Sequence, residues 1–167
     1  MDSLSMTVVA RIRSDFPTKF GIPRQSGLVE ALKASVIFEP EYRNPDALRG
    51  LEGFSHLWLI WRFFESVRDG SPFRPNPIGL SCVRLERVEQ HPALGPVLLV
   101  SGADLMDGTP ILDLKPYLPY ADCRPEASCG FAGPDGGKLL EVELPERLRA
   151  LVPEEKREAL LGILARD

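Results

Sequence analysis

Short runs of apolar and β-branched residues, separated by proline- and glycine-rich breaks, fill the first two thirds of this chain. Met6 to Ile12, with Val8, Val9 and Ala10 inside it, reads as a strand. Val29 to Phe38 alternates in part and predicts one or two strands. Phe54 to Phe64 is almost wholly apolar and holds both tryptophans, which predicts a central strand buried on both faces. Ile78 to Val88 predicts a long strand, broken in polarity by Ser81, Arg84 and Glu86. Pro96 to Val100 predicts another, and Lys138 to Leu144 a late one. Asn44-Pro45 pairs a capping side chain with a proline at the first helical position, so a short helix should start there and end by Gly50 or Gly53. From Pro145 the spacing turns helical. Pro153, Glu154 and Glu155 mark a start, and Leu160, Leu161 and Leu164 form the apolar stripe.

These elements predict a mainly β protein: a single β-barrel domain over residues 1–144, with short helices, and a helical C-terminal tail over 145–167. The roughly 30-residue strand–helix alternation of a doubly wound sheet is absent. A chain of 167 residues suits one core. No apolar run approaches the roughly 20 residues of a membrane span. The N-terminus lacks the basic region and apolar stretch of a secretory signal, so a cytoplasmic protein is expected. The three cysteines, Cys82, Cys123 and Cys129, and the two histidines, His56 and His91, are too few and too scattered for a zinc site, so no metal is expected. Cys82 lies in an apolar run and reads as a small core residue. His56 lies in another, and reads as a satisfied core histidine or as a site residue aimed inward. The net charge of −4 argues mildly against a nucleic-acid binder, but the acid excess sits after residue 90, while arginines are scattered before it.

Chemistry concentrates between Asp107 and Asp122. That stretch holds three carboxylates, Lys115, Tyr117, Tyr120 and three prolines. Asp107-Gly108 is a turn signal, and Pro110 stiffens the exit. Ile111, Leu112 and Leu114 then read as a short buried strand. Pro116 and Pro119 oppose a helix and hold Lys115, Tyr117 and Tyr120 on extended backbone. Asp113 and Lys115 flank Leu114, so on a strand both face one way while Leu114 faces the core. Such a segment suits a small-molecule site; it suits a proline-rich surface connection equally well. There is no G-x-G-x-x-G after a strand, no Walker A loop, no H-E-x-x-H and no G-x-S-x-G.

Four segments together resemble one family. They are Gly21-Ile22-Pro23-Arg24-Gln25, Leu51-Glu52-Gly53-Phe54-Ser55-His56-Leu57-Trp58, Phe73-Arg74-Pro75-Asn76-Pro77-Ile78-Gly79-Leu80-Ser81, and Asp104 to Asp122. In this order they are similar to the TrmO (TsaA-like) tRNA methyltransferases, over about Val8 to Asp122. The resemblance implies a homodimeric β-barrel enzyme. Its methyl donor would be S-adenosylmethionine. Its acceptor would be N6 of threonylcarbamoyladenosine, next to the anticodon of threonine tRNA. The alternatives are a methyltransferase of the same barrel acting on another substrate, and a non-catalytic S-adenosylmethionine-binding protein. Two departures stand out. The family's basic, glycine-containing loop is reduced here to Glu65–Pro72, without the Ala-Thr-Arg element. The family also continues into a C-terminal lobe, of which 145–167 would be the start.

By the same resemblance, Pro23, Arg24, Gln25, Leu80, Asp104, Met106, Asp107, Gly108 and Thr109 would line the donor. Arg74, Asn76 and His56 would contact the acceptor. Asp113 and Lys115 would handle the acceptor proton and the threonine carboxylate, and Tyr117 would stack on the base. The alternative for Arg24 is a plain surface arginine, and for Asp113 with Lys115 an ion pair that steadies the loop.

Overall fold

The computed structural model describes residues 5–63, 76–130 and 138–166. Among them lie six strands: β1 (Ala10–Arg13), β2 (Lys33–Phe38), β3 (His56–Arg62), β4 (Ile78–His91), β5 (Gly95–Ser101) and β6 (Pro110–Pro116). They close into a barrel in the order β1-β2-β5-β4-β3-β6. Every neighbouring pair is antiparallel. Closure leaves each strand a neighbour on both sides, apart from the start of β4 before its pairing with β5 begins at Arg84.

The period of two sorts the side chains. Val36, Leu57, Leu59, Val83, Leu98, Val100 and Ile111 point inward and are almost fully buried. Burying one such side chain contributes about 1.5–3 kcal/mol. β3 departs from the two-sided burial expected of it. Leu57 and Leu59 are buried, whereas His56, Trp58 and Ile60 are only half-buried on the outer face. A barrel has one dry face, and the aromatic content of β3 disguises this. Cys82 likewise faces outward and half-buried, between the buried Ser81 and Val83, so it is not a core residue.

Three other expectations change. Residues 138–144 form no strand: Leu139 and Leu140 are exposed, and the Leu140 amide donates to the Ala165 carbonyl at 2.8 Å. The closed barrel offers that alternating segment no edge to join. Asn44 does cap a helix, its side chain accepting from the Asp46 amide at 3.0 Å, but the helix is a 3-10 turn over Pro45–Leu48. Pro119 does not prolong an extended segment. It opens a one-turn helix, α1 (Pro119–Asp122), at the position where a missing N–H costs nothing.

Two further helices follow, α2 (Glu146–Arg149) and α3 (Glu154–Leu164). α3 packs through Ala159 and Ile163 against Phe16, Val29 and Leu32. The predicted stripe of Leu160, Leu161 and Leu164 is not the most buried side, and Leu164 is exposed. Small residues win because they allow closer approach: a Cβ on Gly162 would lie 2.7 Å from Val29 Cγ1. Lys156 of α3 also pairs with Asp15. The tail thus braces the loop between β1 and β2. No helix among the described residues is long and apolar enough to cross a membrane.

Candidate functional site

The loop braced by α3 meets two strand ends. β5 pairs with β4 only from Arg84 onward, so the β4 segment Leu80–Cys82 has an open side. Ser26 fills it, its hydroxyl accepting the Cys82 amide at 3.0 Å. One residue on, the Gly27 amide donates to the Gly102 carbonyl at 2.8 Å. These bonds bring Pro23, Arg24 and Gln25 into the same neighbourhood as Leu80 and the chain leaving β5 at Gly102–Asp104. Leu80 stands 57 % exposed beside them, an apolar surface with nothing packed over it among the described residues.

Asp104 is the charged group of this wall. Its Oδ1 accepts the Ser81 hydroxyl at 2.6 Å. The carboxylate also accepts the Ser26 amide and its own amide. Burial pushes its pKa above the ordinary carboxylate value, with those hydrogen bonds acting in the opposite sense. No lysine or arginine among the described residues pairs with it. A half-buried carboxylate surrounded by donors and lacking a cation can accept a positive or hydroxyl-bearing ligand.

The following turn has different duties. Asp107 Oδ1 accepts the Ser14 amide at 3.0 Å, and the Gly108 amide donates to the Ile12 carbonyl at 2.9 Å. Thr109 is buried, with its hydroxyl on the Met106 carbonyl at 2.7 Å. Gly108 takes φ +79°, as the Asp-Gly signal requires. The turn therefore fastens the β5–β6 connection to β1. The side chains of Asp107 and Thr109 are already engaged with the protein's own backbone.

A second cluster lies on the outer face of β4, β3 and β6. Strand register aligns Cys82, Trp58 and Lys115 in one row, and Leu80, Ile60 and Asp113 in the next. Tyr117 follows β6, with its amide on the His56 carbonyl at 2.9 Å and its ring 5.9 Å from Trp58 and 6.1 Å from His56. His56 thus faces outward, neither in the core nor aimed into the barrel, and its Nδ1 shares a 2.9 Å hydrogen bond with Ser55 Oγ. Partial burial, then the Cys123 thiol, pushes the Tyr117 phenol up.

Asp113 and Lys115 share a face, as expected, but they do not pair. Lys115 Nζ binds both oxygens of Asp122, at 2.9 and 2.7 Å. Asp113 Oδ1 accepts the Leu114 amide at 2.8 Å. The helical turn opened by Pro119 carries Asp122 back to Lys115. There the Leu118 amide, at 2.8 Å, and then Lys115 hold the Asp122 carboxyl below its usual pKa. Cys82 joins the two clusters: its amide binds the Ser26 loop, and its thiol, raised by burial and then by Asp122, belongs to the outer row.

Comparison with known proteins decides what this arrangement belongs to. The family model described as the tRNA-methyltransferase O N-terminal domain matches residues 11–71 and 66–123. The chain belongs to the tRNA-methyltransferase O family. The tRNA (adenine(37)-N6)-methyltransferase of Escherichia coli K12 is 34 % identical over 190 aligned positions, covering 100 % of this chain and 80 % of that protein. The Eikenella corrodens protein of the same name is 44 % identical over 136 positions, covering 68 % of this chain and 76 % of that protein. A crystal structure of TrmO from Pseudomonas aeruginosa superposes with a TM-score of 0.80 at 38 % identity, covering 100 % of this chain and 82 % of that one.

Within the tRNA-methyltransferase O frame, Pro23, Arg24 and Gln25 lie on the loop that Ser26 fastens to β4, Arg24 and Gln25 exposed; Asp104 bonds Ser81 on the inner side of β4, whereas Leu80 points to the outer face. The structure gathers His56, Asp113, Lys115 and Tyr117 on the outer face. Met106, Asp107, Gly108 and Thr109 stand apart, in the turn bound to β1. Asn76 lies exposed where β4 begins. Arg74 and the shortened Glu65–Pro72 loop lie outside the described residues. The sequence reading missed Ser26, Trp61, Ser81 and Asp122 as members of these clusters. Only Asp122 had a visible signal, being a carboxylate inside the proline-rich stretch.

Proposed function

We propose that this chain transfers a methyl group from S-adenosylmethionine to N6 of threonylcarbamoyladenosine, beside the anticodon of threonine tRNA. The observation that carries the reading is the placement of Leu80–Cys82. That segment touches the Asp104 wall on one side and the Lys115–Asp122–Tyr117 cluster on the other, so a donor and an acceptor can meet across it. The donor fits the residues present: the Asp104 carboxylate suits a cation or sugar hydroxyl, and the exposed Leu80 suits an adenine ring. Relatives point the same way. One from Pseudomonas aeruginosa, 38 % identical over 168 positions, is named a putative S-adenosylmethionine-dependent methyltransferase.

S-adenosylmethionine supplies an activated methyl on a sulfonium leaving group. The chain's task is then alignment, which contributes several kcal/mol. Pro23 fixes the backbone of the donor loop while Ser26 and Gly27 pin it to β4 and β5. Tyr117 and Trp58 present aromatic faces for the acceptor base, and one base–aromatic stack contributes about 1–3 kcal/mol. The acceptor N6–H must lose a proton as its nitrogen is methylated. The exposed Asp113 is free to receive it through an oxygen not held by Leu114, and Lys115, anchored by Asp122, faces the threonine carboxylate. The working form in this reading is a homodimer, as the family resemblance implies, with the half-buried Ile60 left on the outer face for a second copy.

Mass spectrometry of tRNA nucleosides from cells lacking the protein tests the substrate. N6-methylated threonylcarbamoyladenosine should vanish, with the unmethylated nucleoside accumulating. An unchanged nucleoside profile would leave a different methyl acceptor or a donor-binding role.

A further inference from the structure

Asp104 is held by side chains from two strands distant from it in sequence. Trp61 Nε1 donates to Ser81 Oγ at 3.0 Å, and Ser81 Oγ donates to Asp104 Oδ1 at 2.6 Å. The direction of this chain is fixed by chemistry. An indole nitrogen only donates, so Trp61 occupies an acceptor lone pair of the hydroxyl, and the single hydroxyl proton must go to the carboxylate. The 2.6 Å separation is that of a charge-assisted O–H···O⁻ bond. Ser81 is 1 % exposed, so water cannot replace either partner.

The arrangement needs a special neighbour. Trp61 and Gly79 are opposite one another on β3 and β4, and a Cβ on Gly79 would overlap the indole. The indole therefore lies flat across the bare glycine backbone, at the point where the β3–β6 register shifts between Ile60 and Trp61. By the period of two Trp61 points to the inner side of β3 with Leu57 and Leu59, packed on the core, and its N–H reaches diagonally to Ser81 on the same side of β4.

We propose that Trp61 and Ser81 are positioning residues that hold Asp104 as an oriented carboxylate for the positively charged end of the methyl donor. This rests on the S-adenosylmethionine reading above. The groups facing Asp104 are Ser81 from β4, the Ser26 amide from the donor loop, and Trp61 behind Ser81. None of these titrates in the carboxylate range. Among the described residues no charged side chain pairs with Asp104. The acid limb of donor binding therefore belongs to Asp104, and the hydroxyl of Ser81 sets where that limb falls.

The test is calorimetric titration of the full chain with S-adenosylmethionine between pH 5 and 8. Asp104→Asn should weaken binding tenfold or more and flatten the acid limb. Ser81→Ala should move the limb upward by about one pH unit, because the anion loses a charged hydrogen bond. Trp61→Phe should move it the same way by less, and Ser81→Thr, which keeps a hydroxyl, should restore it. The double variant Trp61→Phe/Ser81→Ala removes the orphaned indole N–H and guards against a folding defect. Methylthioadenosine, which lacks both the sulfonium and the ammonium, should bind the wild type and Asp104→Asn alike. Identical limbs in wild type, Ser81→Ala and Trp61→Phe would overturn the relay and leave the donor reading standing. No donor binding by the wild type would overturn both.

Discussion

Asp104 and Asp122 are both carboxylates held by backbone amides, yet their surroundings push them in opposite directions. Asp104 sits at the inner wall, partly desolvated and without a cation. Asp122 sits on the outer face with Lys115 on both of its oxygens. Burial raises the first, whereas the Leu118 amide and Lys115 lower the second. A carboxylate that costs stability when ionised is an unfavourable way to brace a fold and a good way to receive a ligand. One that is already paired braces the loop around it. The contrast separates the Asp104 wall, proposed for the donor and lacking a cationic partner among the described residues, from the Lys115–Asp122 face, which is internally satisfied.

The largest perturbation should remove the contrast by damaging the scaffold that both regions share. Leu59 is fully buried on β3 between β4 and β6. Leu59→Ala should cost about 2–5 kcal/mol of stability in chemical denaturation. Both regions should lose order together; loss confined to one would show that the barrel is not their common support.

A more selective change is Gly79→Ala. The new methyl must displace the Trp61 indole, at a cost of about 1–3 kcal/mol from overpacking. Donor affinity should fall several-fold while the Lys115–Asp122 pair stays intact. Donor titration on the folded variant checks this, and unchanged affinity would show that Trp61 does not matter to the wall.

On the outer face, Asp113→Asn should slow methyl transfer and leave donor affinity unchanged, the signature of an interaction made mainly in the transition state. Removal of a general base typically costs about a hundredfold or more. A normal single-turnover rate in the folded variant would remove Asp113 from the chemistry.

The smallest effect sharpens the comparison itself. A raised folded pKa means the native state binds the Asp104 proton more tightly than the unfolded chain does. Its contribution to stability is therefore present at low pH and lost as pH rises through the folded value. Asp122 has the opposite sign: its contribution is present above the unfolded carboxylate value and lost as pH falls through its depressed folded value. Carboxyl chemical shifts followed by NMR from pH 2 to 8 should show Asp104 titrating above, and Asp122 below, a free aspartate. Asp122→Asn should leave the Asp104 curve in place. Coincident curves would erase the distinction.

Much of the barrel was legible because its strands are short apolar, β-branched runs between proline and glycine breaks, with partial alternation in β2. β3 was misjudged because its outward residues, Trp58 and Ile60, are as apolar as its inward ones. Residues 138–144 alternate as a strand does, but strand formation needs an available edge, and edges are a property of the whole sheet. At the site, the Asp104 turn and the proline-rich stretch announced themselves locally. Ser81 and Trp61 could not, since they reach Asp104 only through the pairing register of β3 and β4. The Lys115–Asp122 pair was hidden by Pro119, which can end an extended segment or begin a helix with equal ease.

The proposed activity itself is tested most directly by single-turnover transfer of a labelled methyl group from S-adenosylmethionine to threonine tRNA. Two preparations are needed, one with and one without the threonylcarbamoyl group. The account predicts label at N6 of the carbamoylated adenosine alone, and its loss in Asp104→Asn at donor concentrations that saturate the wild type. Equal labelling of both tRNAs, or tight donor binding with no transfer to either, would contradict it.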